Sequence, residues 1–216
     1  MTRPVTRREL ASLGAIGVAG WGVHRLLAGA APVGVDVGEN PIAQTLLADR
    51  SAPAREIGAP TLTVVVFTDY QCPSCKLAHP ALEGAAADDG AIRLSYRDWP
   101  IFGPRSIRAA RVAIAAAAQG VYPAVHARLM AEAHPLEWPV LREAVERSGG
   151  DWAQVSARLD RDGATIDALL SETARAAVLL GIAGTPAYLI GPVLVTGALD
   201  EPRFVRAFAE GREASR

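Results

Sequence analysis

Hydrophobic and polar positions along the chain separate it into strand-like and helix-like stretches. Thr61-Leu62-Thr63-Val64-Val65-Val66-Phe67 is an unbroken β-branched and aromatic run, the pattern of a strand buried on both faces. After a short polar link, Leu77, Ala78, Ala81, Leu82 and Ala85 recur at helical spacing. That helix should open at Pro73, where a missing N–H costs nothing, and end at Gly90. Pro80 falls inside it and predicts a kink. Ile92–Arg97 alternates as a second strand. Five further stretches show three- and four-residue apolar spacing: 106–119, 123–133, 139–148, 151–159 and 165–180. Strand patterns return at Ala187–Ile190 and Val193–Thr196, and Gly191-Pro192 between them predicts a hairpin. A last helix should run from about Glu201 to Glu210. Residues 31–60 hold four prolines and read as a linker with one short helix near Ile42–Asp49.

The N-terminus has a different pattern. Arg7-Arg8 precedes a charge-free run from Leu10 to Val23, which His24 and Arg25 close. The run is too short to span a bilayer but suits the apolar region of an export signal. Ala28-Gly29-Ala30 offers small residues for cleavage after Ala30. The arginine pair and the Gly/Ala-rich run resemble a twin-arginine signal; an uncleaved signal serving as a membrane anchor is the alternative. Four glycines in this run argue against an ordinary amphipathic helix.

Composition narrows the function classes. The 216 residues are 50% apolar and 21% charged with a formal net charge of −1, which excludes a disordered chain. The charge balance also argues against a nucleic-acid partner. Alanine accounts for 42 residues, so much of the apolar share is small side chains. The basic side is 21 Arg and one Lys, Lys76. No phosphate-binding glycine loop, Ser-His-Asp set or metalloprotease helix is present, and no cofactor or structural metal site is indicated.

Candidate chemistry lies in the only two cysteines, Cys72 and Cys75, placed where the first strand gives way to a helix. A helix N-terminus favours the thiolate, the reactive form of cysteine. Cys75 is one turn later and more shielded, so Cys72 would exchange with an incoming sulfur and Cys75 would resolve the mixed disulfide. A disulfide across two residues would constrain almost no chain, and a structural zinc site would need more ligands than His79 could add. A carrier of soft metal such as Cu(I) on the same thiols is the reading from a different class. Asp69 reads as a solvated loop residue rather than a proton acceptor for Cys75. Lys76 either favours the Cys72 thiolate or is simply solvated. His126 and His134 read as surface or boundary residues, and Trp99, Trp138 and Trp152 as packing anchors. Trp99-Pro100-Ile101-Phe102 is a candidate apolar peptide-contact patch.

Phe67-Thr68-Asp69-Tyr70-Gln71-Cys72-Pro73-Ser74-Cys75, Gly184-Thr185-Pro186-Ala187 and Gly197-Ala198-Leu199 together resemble the DsbA-like branch of thioredoxin-fold thiol–disulfide oxidoreductases. The resemblance covers about residues 55–212. It implies an α/β, thioredoxin-like fold with a helical insertion domain: residues 55–103 and 182–214 for the thioredoxin-like part, 104–181 for the insert, 31–54 as linker and 1–30 as signal. It also implies that Thr185–Pro186 is a cis bond lying against the cysteine pair, where backbone near Thr185 pairs with a bound substrate. Cys72, Cys75, Thr185 and Pro186 are thus the expected catalytic residues. The expected partners are cysteine-containing proteins and a membrane or soluble redox partner, in the periplasm or another extracytoplasmic space. Oxidase action is the first expectation and isomerase or reductase action the alternative. The pair encloses Pro73-Ser74 without a histidine, and Val66 stands where thioredoxins keep an acidic residue.

Overall fold

The structure, a computed structural model, describes residues 32–216. The signal and anchor readings of residues 1–30 lie outside the described residues. Alternation along β3 (Leu62–Thr68) organises the rest: Val64 and Val66 face one hydrophobic cluster, Val65 and Phe67 the other, and all four are buried. β3 runs parallel to β4 (Ala91–Asp98) and antiparallel to β5 (Ala187–Ile190). β5 forms the expected hairpin with β6 (Val193–Thr196). Edge strands β1 (Val35–Asp36) and β2 (Ala54–Gly58) complete a six-stranded sheet in the order β1-β6-β5-β3-β4-β2.

On the Val64/Val66 face pack α2 (Pro73–Asp89), the helices α3 (Pro104–Ala116), α4 (Tyr122–Ala131) and α5 (Trp138–Arg147), and α7 (Glu201–Ala214). Their apolar side chains form one continuous cluster with the sheet, so these helices between β4 and β5 have no separate core. The opposite face is covered by α1 (Pro41–Ala48), through Ala43 and Leu46, and by the end of α6 (Trp152–Leu179), through Ala177. The α/β thioredoxin-like class is therefore observed, with a large helical share. Among the described residues no helix is long and apolar enough to cross a membrane.

Two expectations need correction. The stretch read as linker is folded onto the sheet. It supplies β1, α1 and β2, and residues 33–216 form one compact unit. β2 escaped notice because Ala-Arg-Glu-Ile-Gly lacks a clear apolar alternation. Its order comes from pairing with β4 and from the Arg93–Glu56 and Arg55–Glu83 ion pairs. The helices expected at 151–159 and 165–180 are one 28-residue helix, α6. Gly163 does not break it: a Cβ there would lie 2.7 Å from the Arg111 guanidinium, so the glycine admits Arg111, which pairs with Asp167 at 3.3 Å. α2 runs through Pro80 to Asp89 with Gly90 as its C-cap, as expected.

A close backbone approach joins the hairpin turn to α7. Gly191, at φ +51°, makes the turn, and a Cβ on it would lie 2.7 Å from the Gly211 carbonyl oxygen. A Cβ on Gly211 would lie 2.5 Å from the Ile190 carbonyl oxygen. Alanine at 211 gains up to about 1 kcal/mol of helix propensity, but the clash falls on backbone that cannot swing away and should cost about 1–3 kcal/mol. Gly211→Ala should therefore lower stability in denaturant unfolding despite the better helix former. An unchanged or higher midpoint would show that α7 is free to shift away from the hairpin.

Candidate active site

Strand register brings the sequence-distant motifs together. Phe67 on β3 pairs with Ala187 on β5, and the strands are antiparallel. The chain leaving β3 towards Cys72 therefore lies beside the chain entering β5 from Thr185-Pro186. The Thr185–Pro186 bond is cis, and the Pro186 carbonyl accepts the Gly197 N–H at 2.9 Å. Cys72 is the N-cap of α2 (φ −72°, ψ 116°), with Pro73 in the first turn. Its Sγ accepts the Cys75 backbone N–H at 3.3 Å, and its thiol donates to the Thr185 carbonyl at 3.3 Å. Both cysteines are free thiols. An N–H aimed at Sγ from a helix N-terminus stabilises negative charge there.

Asp69 holds this turn in place. One carboxylate oxygen accepts from the Gln71 N–H at 2.7 Å and the Ser106 hydroxyl at 2.7 Å. The other accepts from the Ile101 and Phe102 N–H groups at 2.6 and 3.0 Å. Asp69 is buried at 1% exposure, so the reading as a solvated loop residue is overturned. With four donors within reach, a carboxylate can be buried in this position. The clamp leaves Ile101 and Phe102 exposed beside the cysteine turn, while Trp99 turns inward to the second cluster. Leu77 and Ile107 are also exposed.

Cys75, expected to be the more shielded, is no more so than Cys72: they are 3% and 2% exposed. Burial pushes the Cys75 thiol up to about 12, although the Thr185 and Thr68 hydroxyls and the Asp69 backbone would favour its thiolate. Thr185 Oγ1 is otherwise buried without a partner. Beneath this region lies a polar cluster that the sequence pattern did not reveal. The Tyr122 hydroxyl donates to Asp98 Oδ2 at 2.9 Å, Tyr70 and Tyr122 hydroxyls lie 3.3 Å apart, and His126 Nδ1 is 3.0 Å from the Tyr70 hydroxyl. Both hydroxyls are satisfied if His126 Nδ1–H donates to Tyr70, Tyr70 to Tyr122 and Tyr122 to Asp98, which leaves Asp98 Oδ1 buried without a partner. Burial holds His126 well below the usual histidine range, hence neutral, and pushes Asp98 up to about 7.

The remaining assignments divide. His126 is fully buried, against the expectation of a surface or boundary place, and His79 packs edge-on to it with ring centroids 5.2 Å apart. His134 is exposed, with Nδ1 on Glu132 at 2.6 Å. Lys76 is not simply solvated: its ammonium donates to the Glu132 carbonyl, tying α2 to the loop after α4. Burial lowers its pKa. Trp138 is half exposed, under the Arg108 guanidinium at 5.0 Å, so it is no core anchor. Trp152 packs against the main cluster. Among the described residues no group of three or more His, Cys, Asp or Glu side chains could hold a metal.

The geometry has known counterparts. A thioredoxin-like oxidoreductase from Silicibacter pomeroyi superposes with a TM-score of 0.73 at 31% identity, covering 81% of this chain and 98% of that one. The catalytic domain of Proteus mirabilis ScsC gives 0.68 at 26%, covering 79% and 94%. The Wolbachia pipientis thiol-disulfide exchange protein alpha-DsbA2 gives 0.72 at 24%, covering 77% and 90%, a likeness of fold. Among curated proteins, a Na(+)/H(+) antiporter, NhaA 3 of Salinispora tropica, is 32% identical over 132 residues; these span 60% of this chain and only a fifth of the antiporter. Residues 63–209, with both cysteines and the Thr185–Pro186 bond among them, match the DSBA-like thioredoxin domain. This chain belongs to the DSBA-like thioredoxin domain family.

Proposed function

We propose that this protein is an exported thiol–disulfide oxidoreductase that oxidises cysteines of other proteins through Cys72 and Cys75. The observation that carries this reading is the unlike setting of two free thiols one helical turn apart. Cys72 receives an N–H at a helix N-terminus, and Cys75 is buried with its proton held. In the oxidised protein, a substrate thiolate attacks Cys72 Sγ; the Cys72–Cys75 bond breaks and Cys75 leaves. A second substrate thiolate then attacks the substrate sulfur of the mixed disulfide and releases Cys72 as thiolate. Stabilising that thiolate stabilises the reduced protein, which makes its disulfide an oxidant. A membrane or soluble redox partner would restore the disulfide. Backbone at Thr185, beside Pro186, would hold the substrate chain, and the exposed Ile101 and Phe102 would meet its apolar residues.

Relatives support the activity class. The Silicibacter protein is described as an oxidoreductase and the Wolbachia one as a thiol-disulfide exchange protein. A Salmonella enterica counterpart at 26% identity is described as periplasmic, in keeping with the export signal read at Arg7-Arg8.

Cys75→Ser should accumulate mixed disulfides through Cys72 on non-reducing gels, and Cys72→Ser should not. Absence of trapped species, with an active wild type, would reverse the two roles. Stoichiometric Cu(I) without exchange would favour the carrier reading. Equilibration with glutathione should give a potential nearer about −120 mV than about −270 mV; a value at the lower end would make the protein a reductant. Replacing Arg7 and Arg8 together by Lys should hold the protein in the cytoplasm, measured by cell fractionation. Normal export of that variant would rule out the twin-arginine route.

A further inference from the structure

Backbone N–H groups of a surface loop are ordinarily satisfied by water or by the loop itself. In the loop after β4 they go to a buried charge. This loop starts at Trp99, whose N–H donates to the Thr68 carbonyl at 2.8 Å, and ends at Gly103, φ +92°, just before α3. Between these ends the Ile101 and Phe102 N–H groups turn to one oxygen of Asp69, while their side chains are left 44% and 51% exposed. The other oxygen takes the Gln71 N–H, next to Cys72, and the Ser106 hydroxyl from α3. The Asp69 carbonyl accepts the Cys72 N–H at 3.1 Å. A single residue thus places both the cysteine turn and two exposed apolar side chains.

The donor set explains why a carboxylate stands here. Gln71, Ile101 and Phe102 offer backbone N–H groups, which can only donate, and they approach both oxygens. A carboxylate accepts at both ends, whereas a carboxamide accepts at one. Burying the charge is costly, so it returns something that a neutral turn would not. We propose that Asp69 is a positioning residue for substrate selection. It holds the Ile101–Phe102 lip at a fixed offset from Cys72, so that a substrate cysteine beside an apolar residue exchanges faster than one beside a polar residue. The inference rests on the thiol–disulfide reading and deepens it. The Asp69 carboxylate acts on substrate only through residues 101 and 102.

The Asp69 charge also favours the Lys76 ammonium, one residue past Cys75. Its loss therefore shifts the rate for every substrate, and a ratio of two substrates cancels that common part. The test uses the full chain carrying the Cys72–Cys75 disulfide and two reduced peptides, identical except for Leu or Ser beside their cysteine. Second-order rate constants are read from loss of peptide thiol. Wild type should favour the Leu peptide about tenfold, the lower end of discrimination by an apolar contact. Replacing Ile101 and Phe102 together by Ser should remove that preference. Asp69→Asn sets an amide N–H against a backbone N–H whichever way it turns, and should bring the ratio to within about twofold. A merely structural role would slow both peptides equally and leave the ratio as it was.

Hydrogen exchange on the wild type covers the case in which Asp69→Asn does not fold. The Ile101 and Phe102 amides should be protected although their side chains are exposed, and exchange at the unprotected rate would overturn the clamp. A wild-type ratio in Asp69→Asn would overturn the role of Asp69. Equal rates for the two peptides with wild type would overturn the lip, and this inference with it, but leave the exchange reading standing. No reaction of wild type with either peptide would sink both.

Discussion

The antiparallel register of β3 with β5 is the constraint on which the site depends. Because Phe67 lies opposite Ala187, the end of one strand and the start of the other coincide. Cys72 therefore meets the Thr185 carbonyl across more than a hundred residues of chain. A slip of one residue would turn Val64 and Val66 from the helical cluster to the other face and exchange them with Val65 and Phe67. Both faces are packed by apolar clusters, so the cores on either side enforce the register. Core packing and site assembly are one event.

Polar groups then join the helices between β4 and β5 to that frame. Asp69 binds the cysteine turn to residues 101–106, and Lys76 reaches the loop after α4. Tyr70, Tyr122, His126 and Asp98 form a buried chain between the cysteine turn, α4 and β4. Such groups are costly when half-satisfied and rigid when satisfied. The helices thus fix the orientation of the cysteine turn, and do more than cover it.

Legibility in the sequence follows the physics of each element. β3, the β5–β6 hairpin and the start of α2 were readable because each has a dense local signal: a β-branched run, a Gly-Pro turn, a proline after the strand. β2 was not, since an edge strand carrying Arg55 and Glu56 owes its order to partners far along the chain. The unbroken α6 was hidden because Gly163 serves Arg111 rather than the helix it sits in. The cysteine pair and Thr185-Pro186 stood out by residue type. Asp69, Asp98 and His126 looked like ordinary polar residues; no spacing marks a polar side chain whose partners come from three other elements.

The two thiols show why burial and position must be read together. Identical and equally buried side chains one turn apart differ in setting, because one caps the helix and the other lies within its first turn. An N–H aimed at Cys72 favours charge, whereas burial at Cys75 opposes it and pushes the thiol to about 12. In the proposed exchange Cys72, which accepts this N–H, attacks and leaves, while Cys75 keeps its proton. The same burial that protects Cys75 from other oxidants also withholds the water that would take its proton.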